Sequence, residues 1–203
     1  MTVRTLPLTR QWFAKEFGFD LGDIRNVADA PYVAGYQEYP IIGSYNWSGY
    51  LTFAPAAYAD RVQMQAWFNA ACDAGDLVRM PHPRFRVPFG TMRGSPTLYG
   101  DHAAGASVLT IQSTGGATLL GGDLIGLDGH LLMVVTALTF DPGTGRASVE
   151  VRGKLRKAVP SGTPVQWDAP TATFQILKRP SVVWVPGSSP EFSIEFVERF
   201  LTS

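Results

Sequence analysis

The 203 residues contain one cysteine, Cys72, so neither an internal disulfide nor a multi-cysteine zinc site can form. Charge is sparse as well: Asp, Glu, Lys and Arg make up 17%, where roughly a quarter is usual. The two signs balance at seventeen residues each. The chain therefore lacks the basic excess of a dedicated nucleic-acid binder and the one-signed tracts of a disordered tail. No apolar run approaches the eighteen or so residues of a membrane span, and the longest, LLMVVTALTF, is broken by threonine. The opening MTVRTLPLTRQWF has no apolar stretch of the kind a secretory signal needs. These absences predict a protein made in a cytoplasm, without a cleaved signal or a membrane segment. Catalytic signatures are missing too. His82, His102 and His130 form no HxxxH or HExxH pair, and there is no GxSxG elbow, P-loop or GxGxxG.

What the chain does have is apolar and turn-forming residues. Hydrophobic residues reach 45%, ample for a core at this length. Glycine (21) and proline (15) exceed their usual share and are spread without a repeat, the punctuation of many short strands. A neutral, charge-poor surface is poorly protected against self-association. The five tryptophans, Trp12, Trp47, Trp67, Trp167 and Trp184, are scattered one to an element, which favours core or interface packing over a stacking platform.

Residues 1–46 read as irregular and aromatic-rich, with Phe17, Phe19 and Leu21 at strand spacing. In WSGYLTF, Trp47, Gly49, Leu51 and Phe53 fall on one face of a strand. A single helix is expected near 57–73, opened by Pro55 and closed by Gly75. Its packed stripe reads as Ala59, Val62, Ala66 and Ala70, flanked by Trp67, Phe68 and Ala71, with Asp60, Arg61, Gln63 and Gln65 on the wet side. Residues 79–100 are proline- and glycine-rich and read as an extended link at a domain boundary. The link carries Arg79, Arg84, Arg86 and Arg93 without an acidic residue, which suits a solvated loop or pairing with a neighbouring subunit.

A small all-β unit follows. Strands are expected at 108–112, 124–127, 131–138, 147–151, 165–167 and 173–177. Asp128-Gly129 between apolar runs is a strong hairpin signal, and Asp141-Pro142-Gly143 makes a further turn. His130 reads as an exposed loop residue after the hairpin turn, and Asp123 as a turn residue that bonds local N–H groups. Residues 181–185 and 192–196 return to strand, and the last is expected to pair with the N-terminal strands, leaving the middle block as an insertion.

The order of segments carries a resemblance. WSGYLTFAP is followed by ADRVQMQAWFNAACDAG, then PRFRVPFGTMRGSP, GGDLIGLDGHLLMVV, DPGTGRASVEVRGKLRKAV and PTATFQIL. Over roughly residues 47–177 this series resembles the distal tail proteins of long-tailed (siphovirus-type) bacteriophages. Gly122-Asp123, Leu155-Arg156 and Phe174 stand where that pattern has a GD strand, an LR segment and a phenylalanine strand. Gly153-Lys154 depart from it, since prolines often precede the LR pair, and the first 46 residues lie outside the likeness.

The resemblance implies a mainly β fold: a belt-like β-sandwich with one α-helix and an inserted small β-barrel-like domain. Laid on this chain, the belt is 1–95 plus 172–203 and the insertion is 96–171. It also implies a structural virion protein of the tail tip, a homohexamer whose ring joins the tail tube protein to the baseplate hub protein. Such a subunit has no catalytic residue, cofactor or metal, and no specific nucleic-acid or membrane partner. Arg84, Arg86, Arg93, Trp12 and Trp184 are the candidate subunit-interface residues. A second reading makes the middle unit a carbohydrate- or receptor-binding module using Trp167, Tyr99 or His130. A third is a cell-wall hydrolase using Asp101, His102 or Asp123.

Overall fold

The structure is a computed structural model that describes residues 2–7, 14–29, 36–53, 58–83, 85–177 and 191–199, with only the backbone described at 22–29, 36–45, 58 and 192. In chain order, β1 (Val3–Thr5), β2 (Glu16–Asp29) and β3 (Tyr36–Phe53) precede helix α1 (Tyr58–Asp73) and β4 (Leu77–Pro81). The middle of the chain supplies β5 (Thr97–Leu98), β6 (Val108–Gln112), β7 (Thr118–Leu119), β8 (Leu124–Leu127), β9 (His130–Val134), β10 (Leu138–Thr139), β11 (Arg146–Arg152) and β12 (Val165–Gln166). The chain then closes with β13 (Thr171–Ile176) and β14 (Phe192–Glu198).

Both ends of the chain build one sheet, in the order β1-β4-β13-β14-β3-β2. Only β1 and β4 run parallel; the other neighbours are antiparallel. The expected pairing of the C-terminal strand is seen: Phe192–Val197 of β14 lie against Ser48–Phe53 of β3. Gly49 is where β3 comes closest to β2, since a side chain there would meet the Gly18 carbonyl oxygen at 2.0 Å. A core of Leu51, Phe53, Met64, Phe68, Phe174 and Phe196, with others, fills the space between this sheet and α1.

The middle block forms the second six-stranded sheet, β12-β8-β9-β11-β6-β5. Its two edges lean together: Leu98 N–H donates to Thr163 O and Val165 N–H to Pro96 O, each at 2.9 Å. That nearly closes the sheet into a barrel and removes its open edges. A separate β7–β10 pair lies beside it. The barrel has its own core, with Leu109, Ile111, Ile125, Leu132, Phe140 and Val149 at its centre. At the β8–β9 hairpin Asp128 and Gly129 have φ of 50° and 84°, the two positive angles that an Asp-Gly hairpin turn requires. The fold is thus mainly β, with one helix among the described residues and a small barrel-like unit.

Three expectations are corrected. First, residues 16–29 and 36–46 are not irregular: they are strand, with β2 and β3 paired from Glu16↔Thr52 to Asp29↔Tyr36. The register jumps between Asp23 and Arg25, leaving a bulge in β3 next to Pro40, where an N–H could not have served the ladder. Second, α1 is turned relative to the expected face. Arg61, Met64, Phe68 and Ala71 are buried, while Ala59, Val62, Ala66 and Ala70 are exposed. Large side chains bury more apolar area than alanine does, so Met64 and Phe68 decide the orientation, and Arg61 is carried in beside them. Third, the strand expected at 131–138 is two, β9 and β10, with Val135 exposed between them. The strand expected at 181–185 lies outside the described residues.

Candidate functional site

The sheet built by the chain ends meets the barrel along a junction centred on Trp47. Its backbone N–H donates to Glu198 Oε2 at 3.0 Å, and its indole Nε1–H donates to the Leu131 carbonyl at 2.7 Å. The Glu198 carboxylate also accepts the backbone N–H of Leu131, so one buried carboxyl ties β3, β14 and β9 together. Arg156 lies within electrostatic reach of it and donates from Nη2 to Asn46 Oδ1 at 2.6 Å. Arg152 Nη2 donates to the Leu21 carbonyl at 3.3 Å. Burial dominates at Glu198: it pushes the carboxyl up to about 7, against the pull of the two N–H donors and Arg156. Leu124 and Leu131 of the barrel belong to the other sheet's core, so the junction is apolar inside and polar at its clasp.

Beside the clasp lies a cleft of about 260 Å³, walled by Phe19, Trp47, His82, Phe85, Phe89 and Met133. His82 stacks on Phe85 at 4.8 Å between centroids and meets Phe19 edge-on at 4.6 Å. His82 Nδ1 accepts the Phe85 N–H at 3.1 Å, and burial holds the imidazole down to about 4, so the ring is neutral near pH 7. Phe89, at the rim, is 67% exposed.

The residues singled out from the sequence separate into distinct places. Arg93 is engaged within its own chain: Nη1 donates to the Gly90 and Met92 carbonyls, Nη2 to Pro88, and the guanidinium lies 5.1 Å from the Trp167 ring centroid. Trp167 in turn donates Nε1–H to the Gly94 carbonyl at 2.8 Å. Arg86 is half-buried in the link, and its carbonyl accepts the Ala169 N–H. Arg84, Trp12 and Trp184 lie outside the described residues. His130 is not an exposed loop residue: it is 4% exposed and begins β9, and burial, with Lys157 and Arg156 nearby, lowers it to about 4. The strand starts straight after the turn, which points this side chain inward.

Asp123 is buried, and its reach is longer than a local turn. It accepts N–H groups from Leu120 at 2.8 Å, from Phe89 at 2.7 Å and from Gly90 at 3.1 Å, fastening the link to the barrel. Asp101 accepts the Ser161 N–H, and His102 Nε2 accepts the Thr110 N–H, both at ordinary structural bonds. Among the described residues no group of three His, Cys, Asp or Glu is placed to hold a metal ion, and no helix is long and apolar enough to cross a membrane.

Glu198 was missed in the sequence, although a signal was there. It continues the alternation Phe192, Ile194, Phe196, which places it on the packed side of β14. No protein-family model matches the chain, and no curated protein matches it at a significant level.

Proposed function

We propose that this chain is a structural ring subunit of the virion, placed at the tail tip of a long-tailed phage between the tail tube and the baseplate hub. The observation that carries the reading is the outer part of the β2–β3 hairpin. Residues 22–29 pair with residues 36–46 and, among the described residues, with no other strand. At ~3.3 Å per residue this ribbon runs roughly 25 Å past the six-stranded sheet. An isolated two-stranded ribbon is marginal in water, and its outer edges hold unpaired backbone groups. A neighbouring copy supplies what such an arm lacks.

A second feature supports the same reading. Ala59, Val62, Ala66 and Ala70 lie along the exposed side of α1 and give it a shallow apolar face. Ring closure uses heterologous contacts, one patch meeting a different patch on the next copy. An arm at one edge and an apolar helix face elsewhere provide two such patches. The choice of this assembly rests on the resemblance of the segment order to distal tail proteins. The work of this subunit is to hold contacts, and the buried carboxylates act as fasteners within it.

The test is the assembly state of the purified chain, followed by light scattering coupled to gel filtration. Wild type is expected as a single species several times the chain mass of 22.1 kDa. Ala66→Arg, and a variant with residues 24–44 replaced by a short turn, are expected to run as smaller species with unchanged circular dichroism in the barrel signal. A wild-type chain that stays monomeric over a wide concentration range, and is absent from purified virions, would end this reading.

A further inference from the structure

A groove of about 260 Å³ opens on the outside of the barrel, away from the junction, between the end of the link and β6. Arg93, Ser95, Thr97, Gln112, Ser113 and Thr114 line it. Apart from Pro96 and the Arg93 guanidinium, its wall is hydroxyl- and amide-bearing, and the side-chain polar atoms of Ser95, Thr97, Gln112, Ser113 and Thr114 have no hydrogen-bond partner within the described protein. One of them is unusual: Ser113 Oγ is buried at the groove and still unpaired. Buried hydroxyls are nearly always bonded, so this one marks a place where a partner is missing.

Beyond the groove lining, the strand register places one cation, Arg146, and the Tyr99 ring on the same outward face as Gln112. Thr97 of β5 faces Gln112 of β6, and Gln112 faces Arg146 of β11, in one row across the sheet. In the next row Thr110 faces Ser148, and Tyr99 N–H donates to the Thr110 carbonyl. Residues two apart share a face, so Tyr99, Thr97, Gln112, Arg146 and Ser148 make one outward surface. The Arg146 guanidinium reaches across β6 to lie 3.5 Å from the Tyr99 ring centroid, and Tyr99 remains 42% exposed. Among the described residues neither Arg93 nor Arg146 has a carboxylate at ion-pair distance. Arg93 uses three of its five N–H donors on its own chain, which leaves two. Glu150, on the same face of β11, stands four residues along the strand, about 13 Å away.

We propose that this face of the barrel binds a single acidic sugar residue, whose hydroxyls lie against the Ser/Thr/Gln groove and whose carboxylate is met by Arg146 and Arg93. The ligand class follows from three features together. The walls offer many neutral donors and acceptors, as a polyhydroxylated ring requires. Two guanidiniums that have no carboxylate partner among the described residues, Arg146 over Tyr99 and Arg93 with two donors left, call for a negative charge on the ligand. The volume, just under the range for drug-sized ligands, limits the occupant to about one ring. The apolar cleft beside Trp47 does not offer this chemistry. The proposal stands whether or not the chain closes into a ring.

Saturation-transfer NMR on the full chain tests it, with sodium glucuronate, glucose and inorganic phosphate each at up to about 20 mM, a range that detects millimolar binding. Glucuronate is expected to receive saturation and glucose at least about fivefold less, one lost charge-assisted contact. Phosphate is expected to displace glucuronate weakly. Arg146→Ala and Gln112→Ala are expected to abolish transfer with unchanged unfolding midpoints. Ser113→Ala serves as a second variant, because deleting an unpaired buried hydroxyl leaves the fold as stable or more so; it is expected to weaken transfer all the same. No transfer from wild type to glucuronate would overturn the proposal. Equal transfer in Arg146→Ala and Gln112→Ala would overturn it too, and displacement by phosphate as strong as by glucuronate itself would reduce the face to a charge patch and remove the sugar.

Discussion

Replacing Glu198 by glutamine is expected to reshape the pH dependence of stability. In the folded chain the carboxyl titrates at about 7, against 4.5 for an unperturbed glutamate. Between those values the folded chain keeps a proton that the unfolded chain has released. Stability from this group is therefore full at acid pH, falls as pH rises through the window, and is flat above it. The gap corresponds to about 3 kcal/mol at ~1.4 kcal/mol per pH unit. His82 and His130 act in the opposite sense. Each is lowered from 6.5 to about 4 by burial, so the unfolded chain takes up protons that the folded chain refuses, and stability is lost as pH falls below 6.5. Below pH 6.5 the two histidines outweigh the one glutamate, so these three groups together make wild-type stability rise from acid pH to a broad plateau around neutrality. Urea unfolding of wild type and Glu198→Gln, stepped from about pH 5 to about pH 8.5, gives the difference curve. That difference, variant minus wild type, is expected to grow in the variant's favour by about 3 kcal/mol and to level off above pH 7.5 or so. A difference that does not change with pH would refute the reasoning, because it would mean that the carboxyl keeps an ordinary titration in the fold.

Three further outcomes follow from the packing. Asp123→Ala strands the N–H groups of Phe89, Gly90 and Leu120, and a loss of about 3–5 kcal/mol is expected by chemical denaturation, with new protease cuts in the link. Phe68→Ala, at a fully buried position on the inner side of α1, is expected to cost about 3–5 kcal/mol by the same measurement, whereas Ala66→Arg on the exposed side is expected to stay within about 0.5 kcal/mol. Arg84→Ala combined with Arg86→Ala is expected to weaken assembly in light scattering and leave the monomer's unfolding midpoint in place; unchanged assembly would remove these arginines from the interface.

Local chemistry explains which parts of this fold could be read from the chain. Asp128-Gly129 was legible because only a turn with two positive φ angles makes sense between two apolar runs, and the alternation in 192–196 was legible because half of each residue pair is wet. The helix was legible, but its orientation was not. Ala59, Val62, Ala66 and Ala70 form as regular a stripe as Arg61, Met64, Phe68 and Ala71, and the second stripe carries a charged residue, so periodicity alone does not show which one packs. The pairing of residues 16–29 with 36–46 is hidden by glycines and Pro40, which weaken strand patterning, and by a bulge that breaks the alternation. His130 was misplaced because a turn residue and the first residue of a strand are neighbours in sequence and face opposite environments. The junction clasp joins Asn46, Trp47, Leu131, Arg156 and Glu198, positions from four separate stretches, and only the topology brings them together.

Native mass spectrometry of the purified chain addresses the central claim most directly. The account predicts one dominant closed assembly of six 22.1 kDa copies, seen as a hollow ring in averaged electron micrographs, that comes apart when residues 24–44 are removed. A sole species at the mass of one chain, or an open ladder of sizes without closure, would contradict it.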